Sequence, residues 1–366
     1  MSLENAQEEL AAESSPAHLR VHSPRSAVAQ GEDAHYVDGV TRQRRNVVAF
    51  KFGGSSLLGA DRMLHAAGLV RAATRASDVT VVVSAMKGVT DHLLSIARAL
   101  ADGKLVHARR EAELVVELHL DVLRNLQLSE ADDRRVRHEL RLLGRDLLHE
   151  VPAHGSIAAG AELCDRLASF GERFSARLFA AALEKSGVPA VPVTSSDFVL
   201  TCDTFRDAQP HLEQSKQRGR EVLLPLLEAG VVSVVTGFIG ATPDGRITTL
   251  GRNSSDFSGA IIAHVVDADE LVIWTDVDGI YTANPNESAE ARLLHELSYD
   301  EAHALAAGGA KVLHAKVLPL AAETAMVVWV RNTFNPQARG TRIGSPRVPE
   351  RPAPVSMEKS QHGGAA

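Results

Sequence analysis

The chain has 366 residues, 45% of them hydrophobic and 23% charged, so it can bury a large core and falls in the globular class. A formal net charge of −7 leaves no electrostatic footprint for nucleic acid. Two cysteines, Cys164 and Cys202, supply neither metal spacing nor a disulfide framework; sixteen histidines contain no H-E-x-x-H pair, and no apolar run reaches membrane-span length.

Residues 1–46 mix Glu, Ala, Ser, Pro and Gln without a sustained apolar period, and are expected to be disordered. Glu4, Glu8, Glu9 and Glu13 argue against a transit peptide and no hydrophobic signal core is present, so a cytoplasmic location is expected. Arg42, Arg44 and Arg45 read as a solvated basic linker. The run Val47–Phe50 has the length and β-branched content of a buried strand, and it leads into Lys51-Phe52-Gly53-Gly54-Ser55-Ser56 ahead of a helical pattern at Asp61–Ala76. A strand that runs into glycines and then a helix aims backbone N–H groups at an anion, with Lys51 as an added charge. Taken alone such a block is more often a plain turn, and it lacks the G-x-x-x-x-G-K-[ST] spacing of a Walker A loop.

A strand is expected at Val79–Val83, helices at Leu105–Leu126, Ala131–Leu148 and Ile157–Lys185, and a further strand at Val188–Val193. Val232–Thr236 and Ile247–Leu250 read as a hairpin closed by Pro243-Asp244-Gly245. Gly251 to Ser255 then open a helix that runs toward Val266. Arg252 there could clamp a carboxylate in bidentate fashion and Ser255 could hold further oxygens, or the segment is a capped helix with Ser254 or Ser255 as N-cap and Arg252 in solvent. Leu271–Trp274 is a strand that delivers Thr275 and Asp276 at its carboxyl end, where open α/β sheets place ligands. Asp276-Val277-Asp278-Gly279 lacks the further ligands of an EF-hand, Asp256-Phe257-Ser258 lacks the catalytic loop of a protein kinase, and no protein-borne metal site is expected. Val327–Val330 is a last strand before the Pro-rich tail 345–366, also expected to be unstructured. Alternating helices and strands predict an α/β fold with a mainly parallel sheet and no internal repeat.

Read in order, these blocks resemble the aspartate kinase family within the amino acid kinase superfamily. The resemblance spans residues 47–344 and also rests on Val82-Val83-Ser84 with Gly88-Val89-Thr90, Gly171–Ser175, Gly237–Gly240, Trp274–Pro285, Gly309–His314 and Asn335–Thr341. The stretch Trp274–Thr282 and the ending Asn335–Thr341 look most like kinase domains fused to homoserine dehydrogenase. The family fold implied is a mainly parallel central sheet with helices on both faces and two lobes, the second beginning near Phe238. The family reaction moves the γ-phosphoryl of ATP, with Mg2+ held mainly through the ATP phosphates, onto the side-chain carboxylate of L-aspartate. By this resemblance Lys51, Gly53, Gly54 and Ser55 hold the transferring phosphate and Asp256 orients Lys51. Arg252 takes the α-carboxylate and Glu172 the α-amino group, with Ser84, Thr90, Phe238, Asn253, Ser254 and Ser255 completing the pocket. Thr275, Asp276, Tyr281, Asn286, Lys311 and Val312 line the nucleotide site. Without it, Glu172 reads as a solvated helix carboxylate and Lys311 as a helix-start lysine.

Two departures bear on activity. Ser254 stands where the family commonly has glycine, and Asn286 where it commonly has a basic residue, so a Cβ and hydroxyl intrude at one place and a charge is lost at the other. The 345–366 tail is too short for the paired regulatory ACT domains or the dehydrogenase of many relatives. The expectation is an aspartate kinase without built-in feedback domains, as a homo-oligomer or with a separate regulatory subunit. The alternatives are a catalytically weak nucleotide- or amino-acid-binding partner subunit and a kinase for a related amino acid.

Overall fold

The computed structural model describes residues 45–151, 160–252, 254–283, 288, 290–307 and 313–345. The segments 1–44 and 346–366, in which disorder is expected, therefore lie outside the described residues, as do Asn253, Asn286, Lys311 and Val312.

Alternation of side chains along each strand decides the layering. On β1 (Asn46–Phe52), Val48, Phe50 and Phe52 enter one hydrophobic cluster and Ala49 the other, as a period of two requires. The same division holds on β2 (Ser77–Val83), where Val79, Val81 and Val83 face one way and Val82 the other, and on β7 (Glu270–Thr275), where Val272 and Trp274 oppose Leu271 and Ile273. Both faces of the sheet are thus apolar, the signature of a parallel sheet covered by helices on two sides.

The main sheet has eight strands. With β3 (Ala190–Val193), β4 (Val232–Thr236), β10 (Glu296–Leu297), β11 (Val327–Asn332) and β12 (Thr341–Ile343), its order is β10-β12-β11-β7-β1-β2-β4-β3. All neighbours are parallel except β11 and β12. The strands up to Thr236 (β1 to β4) occupy one side of the sheet and those from Glu270 onward the other, so the two expected lobes share one sheet and meet where β1 pairs with β7.

One face is covered by helices from the first half of the chain: α1 (Ala60–Ala73), α2 (Val89–Ala101), α3 (Leu105–Leu126), α4 (Glu130–His149), α5 (Ala161–Ala168) and α6 (Phe170–Lys185). The opposite face is covered by α7 (Leu212–Glu228), α8 (Ser255–Val265), α9 (Tyr299–Ala307) and α10 (Val317–Glu323).

Two expectations are corrected. Val232–Thr236 is not a hairpin arm: all five of its residues are buried and it pairs in parallel with β2 and β3. The hairpin joins β5 (Ile239–Ala241) to β6 (Ile247–Thr249), with Gly245 at φ +87° in its turn. A β-branched run that long is satisfied best inside the sheet, which leaves the shorter segment for the hairpin. The single helix expected over Ile157–Lys185 is two helices in its described part, divided at Ser169, whose N–H still reaches the Asp165 carbonyl.

Helix α7 rests on α8 through Gly219, where an added Cβ would lie 2.7 Å from Val265 Cγ1 and 2.8 Å from the Phe198 ring. Gly68, inside α1, has nothing within 4 Å of the same position. We predict that Gly219→Ala lowers the unfolding free energy by about 1–3 kcal/mol through overpacking. Gly68→Ala should raise it by about 0.5–1 kcal/mol through helix propensity. Urea denaturation of both variants checks the pair, and equal effects would contradict the packing.

Candidate functional site

The strand order reverses direction at β1, which has β2 on one side and β7 on the other, and ligands of open α/β sheets bind at the carboxyl ends of strands at such a point. The loops leaving these strands are hydrogen-bonded to their neighbours: Gly53 N–H donates to the Trp274 carbonyl (3.3 Å), Ser84 N–H to Phe52 (3.2 Å) and Gly237 N–H to Val83 (2.8 Å). Glycine at position 54 permits the closest approach, since a Cβ would stand 2.6 Å from the Ala85 carbonyl oxygen.

Lys51 is only 6% exposed. It shares the face of Ala49, so its stem runs against α8, and its Nζ meets Asp256 Oδ1 in the first turn of that helix at 2.5 Å. Gly259, one turn further on, makes room: a Cβ there would lie 3.2 Å from Lys51 Cβ and 3.4 Å from Lys51 Cγ. A buried ammonium needs such a partner, because desolvation otherwise strips its charge.

Above these loops lies a cleft of about 760 Å³, whose lining includes Gly54, Ser55, Ser84, Thr90, Glu172, Phe238, Arg252, Ser254 and Ser255. Those nine sequence-predicted positions therefore converge. Phe238 holds φ +68°, with its N–H on Ser258 Oγ at 2.7 Å. Thr275 ends β7, Asp276 and Tyr281 follow it, and none of the three is part of the cleft wall; Thr275 is half-buried, Asp276 exposed.

Glu172 is not a solvated helix carboxylate. It is 3% exposed, its Oε1 accepts from Ala85 N–H at 3.0 Å, and its Oε2 has no partner among the described residues. Burial pushes its carboxyl up to about 8, with the Ala85 amide and the Lys51 ammonium pulling the other way. Arg252 is exposed at the rim and carries no ion pair among the described residues. Ser254 sits at the N-cap of α8, but its side chain makes no capping bond; the residue is fully buried, its Oγ lacks a partner among the described residues, and its φ of −78° is ordinary for an L-residue. The extra Cβ therefore brings no backbone strain. What it adds is a buried hydroxyl on a residue of the cleft lining.

Several cleft residues were not anticipated from the sequence, among them Lys87, Asp165, Arg206 and Asp207. Lys87 falls inside the turn between β2 and α2, and its N–H donates to the Gly54 carbonyl at 3.2 Å. A strand-to-helix turn beside a glycine pair was a usable signal for it. The others sit on segments with no local pattern.

Chemically, the cleft offers an acidic group with a free oxygen, a free guanidinium and, behind the glycine turn, a buried ammonium held by a carboxylate. It is suited to a zwitterion next to a phosphate. Comparison with known proteins gives the same direction. The profile described as the amino acid kinase family matches residues 46–332.

This chain belongs to the amino acid kinase family. It is 34% identical over 300 residues to the lysine-sensitive aspartokinase 3 of Escherichia coli, covering 81% of this chain and 64% of that one. It is 31% identical to the bifunctional aspartokinase/homoserine dehydrogenase 1, chloroplastic, of Arabidopsis thaliana, over 80% of this chain and 32% of the relative. Among solved structures, E. coli aspartokinase III in complex with aspartate and ADP superposes with a TM-score of 0.75 at 32% identity, over 81% of this chain and 64% of that one. The chain thus spans less than two thirds of the length of these relatives.

The Lys51–Gly259 packing generates a prediction. Gly259→Ala should shift the Lys51 stem by a few tenths of an ångström and loosen the Lys51–Asp256 pair. Turnover that depends on Lys51 should fall by roughly tenfold or more while the midpoint of thermal unfolding moves by a few degrees at most. Unchanged turnover in this variant would show that the stem's position is not critical.

Proposed function

We propose that this family member transfers the γ-phosphoryl group of ATP to the side-chain carboxylate of L-aspartate, giving 4-phospho-L-aspartate. The observation that supports this best is that one cleft carries both Glu172, whose Oε2 has no partner among the described residues, and the Arg252 guanidinium, which match the α-amino and α-carboxylate groups of a free amino acid. The likeness to aspartokinases, one of them solved with aspartate and ADP, adds to it.

On this reading the acceptor needs no general base, because a carboxylate is already ionised at neutral pH. The protein's task is to bring two anions into line and to neutralise the charge spread over the transferred group. Lys51, paired with Asp256, stands beside Gly53, where a Cβ would be 3.6 Å from its Nζ. The ammonium therefore faces the stretch of bare backbone that a phosphate can approach. Ser55 and the N-terminal turn of α8 at Ser255 offer further donors toward the same anion, while Ser84, Thr90 and Phe238 close around the amino acid. Thr275, Asp276 and Tyr281, with Asn286, Lys311 and Val312, take the nucleotide's remaining parts. Mg2+ bound to the nucleotide phosphates would offset their charge; among the described residues no three His, Cys, Asp or Glu side chains gather into a metal site of the protein's own.

Three variants test the assignment in a coupled assay with separate titrations of the two substrates. Glu172→Ala and Arg252→Ala should each raise the KM for aspartate by more than about tenfold and leave that for ATP within twofold. Lys51→Ala should cut kcat by roughly 10²–10³ while aspartate binding stays measurable. Unchanged aspartate dependence in the first two would remove the amino acid assignment, and a near wild-type rate in the third would remove the role of Lys51.

The Glu172 carboxyl adds a pH test. Its folded value of about 8 lies above its ordinary 4.5, so the empty cleft holds a proton there that an incoming ammonium must displace. Affinity for aspartate should fall as pH drops below about 8, by up to about tenfold per unit, with proton release seen by calorimetry in buffers of different ionisation enthalpy. Stability follows the same linkage: the contribution of the neutral group is complete below pH 4.5 and is lost as pH rises to about 8. Glu172→Gln should flatten both dependences.

A further inference from the structure

Asp165 lies on the cleft wall, on α5, and is 2% exposed. Its carboxylate is used up by the protein. Oδ2 accepts the Arg206 N–H and the Thr249 N–H, each at 2.8 Å, and Oδ1 accepts the Thr249 hydroxyl at 2.8 Å. These partners are 41 and 84 residues away in sequence and belong to two segments of the cleft lining, which also meet where Ala208 N–H donates to the Thr249 carbonyl at 2.9 Å. Thr249 ends β6 and lies three residues before Arg252; Arg206 holds the left-handed φ of +73°, uncommon for a side chain of its size. A non-glycine residue stays in that conformation only where its surroundings over-determine it, and here the Asp165 bond to its N–H does so.

We infer that Asp165 is a positioning residue: it staples the 203–207 loop and the β6–α8 connection together, and so sets where Arg252 stands relative to the cleft. This deepens the amino acid reading given above and rests on it. Charge-assisted bonds to backbone amides are strong and directional, which suits a carboxylate to fixing two loops at once. Asparagine can keep the geometry, its Oδ1 taking both N–H groups while its amide donates to the Thr249 hydroxyl; alanine keeps none of it.

The experiment compares Asp165→Ala, Asp165→Asn and Thr249→Val in two readouts. In the first, aspartate and ATP are titrated separately: the alanine variant should raise the KM for aspartate on the order of tenfold or more with ATP within twofold, Asn should recover most of the loss, and Val should fall between. The second readout is hydrogen exchange of the Arg206 and Thr249 amides without any ligand. Asp165→Ala should speed exchange at these two positions and leave the β1 and β7 amides at the wild-type rate, and Thr249→Val carries the test if the alanine variant does not fold. If wild-type protein does not use aspartate, the substrate reading fails while the exchange result still judges the staple. Unchanged exchange, or equal losses for both substrates in the Asn and Ala variants, would overturn the inference.

Discussion

An ammonium group held inside a protein is costly unless a counter-charge and a path for its stem come with it. Lys51 has both, and they come from one helix: Asp256 in the first turn of α8 takes the charge, and Gly259 one turn later leaves the groove along which the stem lies. That arrangement is possible only because β1 is central in the sheet, with α8 packed across it, and because period-two alternation turns Lys51 toward that helix while Phe50 and Phe52 turn away. Moving β1 by one residue would put Phe52 against α8 and the ammonium into the aromatic cluster of Phe50, Phe52 and Trp274. The register of a single strand thus decides whether the glycine turn behind it has a cation at all.

Three carboxylates around the cleft, Asp165 and Glu172 buried and Asp256 half-buried, show how environment separates groups of the same chemistry. Asp256 is satisfied by an ammonium. Asp165 is satisfied by two amides and a hydroxyl, which offset only part of the upward push of burial, so its carboxyl stays above its ordinary value. Glu172 has one amide for two oxygens, and burial dominates. Glu172 has a buried oxygen left to give to a ligand, and the first two serve to hold other groups in place.

What could be read in the sequence was local. The strand leading into Lys51, the glycine pair, the delivery of Thr275 by β7 and the long helices at Leu105–Leu126 and Glu130–His149 are set by patterns within a few residues, and all are present. Val232–Thr236 went to the main sheet instead of a hairpin because its choice lay between partners far apart in the chain, which periodicity does not encode. Glu172 read as a solvated helix residue because its burial depends on Ala85, 87 residues earlier. Asp165 and Arg206 carry no motif, and their significance exists only once α5, the 203–207 loop and β6 are brought together. The helix break at Ser169 is of the same kind: nothing in Ala168-Ser169-Phe170 stops a helix, but Gly171 must sit where a Cβ would be 2.6 Å from Ala85 Cβ, and α5 must turn to bring Asp165 to the cleft.

An unpartnered buried polar atom is not by itself the mark of a site. His119 Nε2 and Ser175 Oγ also lack partners among the described residues. His119 meets its burial by remaining neutral, its imidazole pushed down to about 4 and stacked on Phe174 with ring centroids 4.4 Å apart. That solution asks nothing of a ligand. Glu172 and Ser254 differ because their orphaned oxygens belong to residues of the same cleft wall, near a guanidinium that is itself unpaired among the described residues. Each unsatisfied group costs on the order of 1–3 kcal/mol in the empty protein. A ligand that brings a donor to Glu172 removes part of that cost on binding, and one that lacks it leaves the cost standing. Discrimination by such a cleft therefore falls hardest on analogues missing a polar group rather than on those differing in length, because an absent methylene forfeits only dispersion and hydration, whereas an absent ammonium leaves a carboxyl buried with no partner.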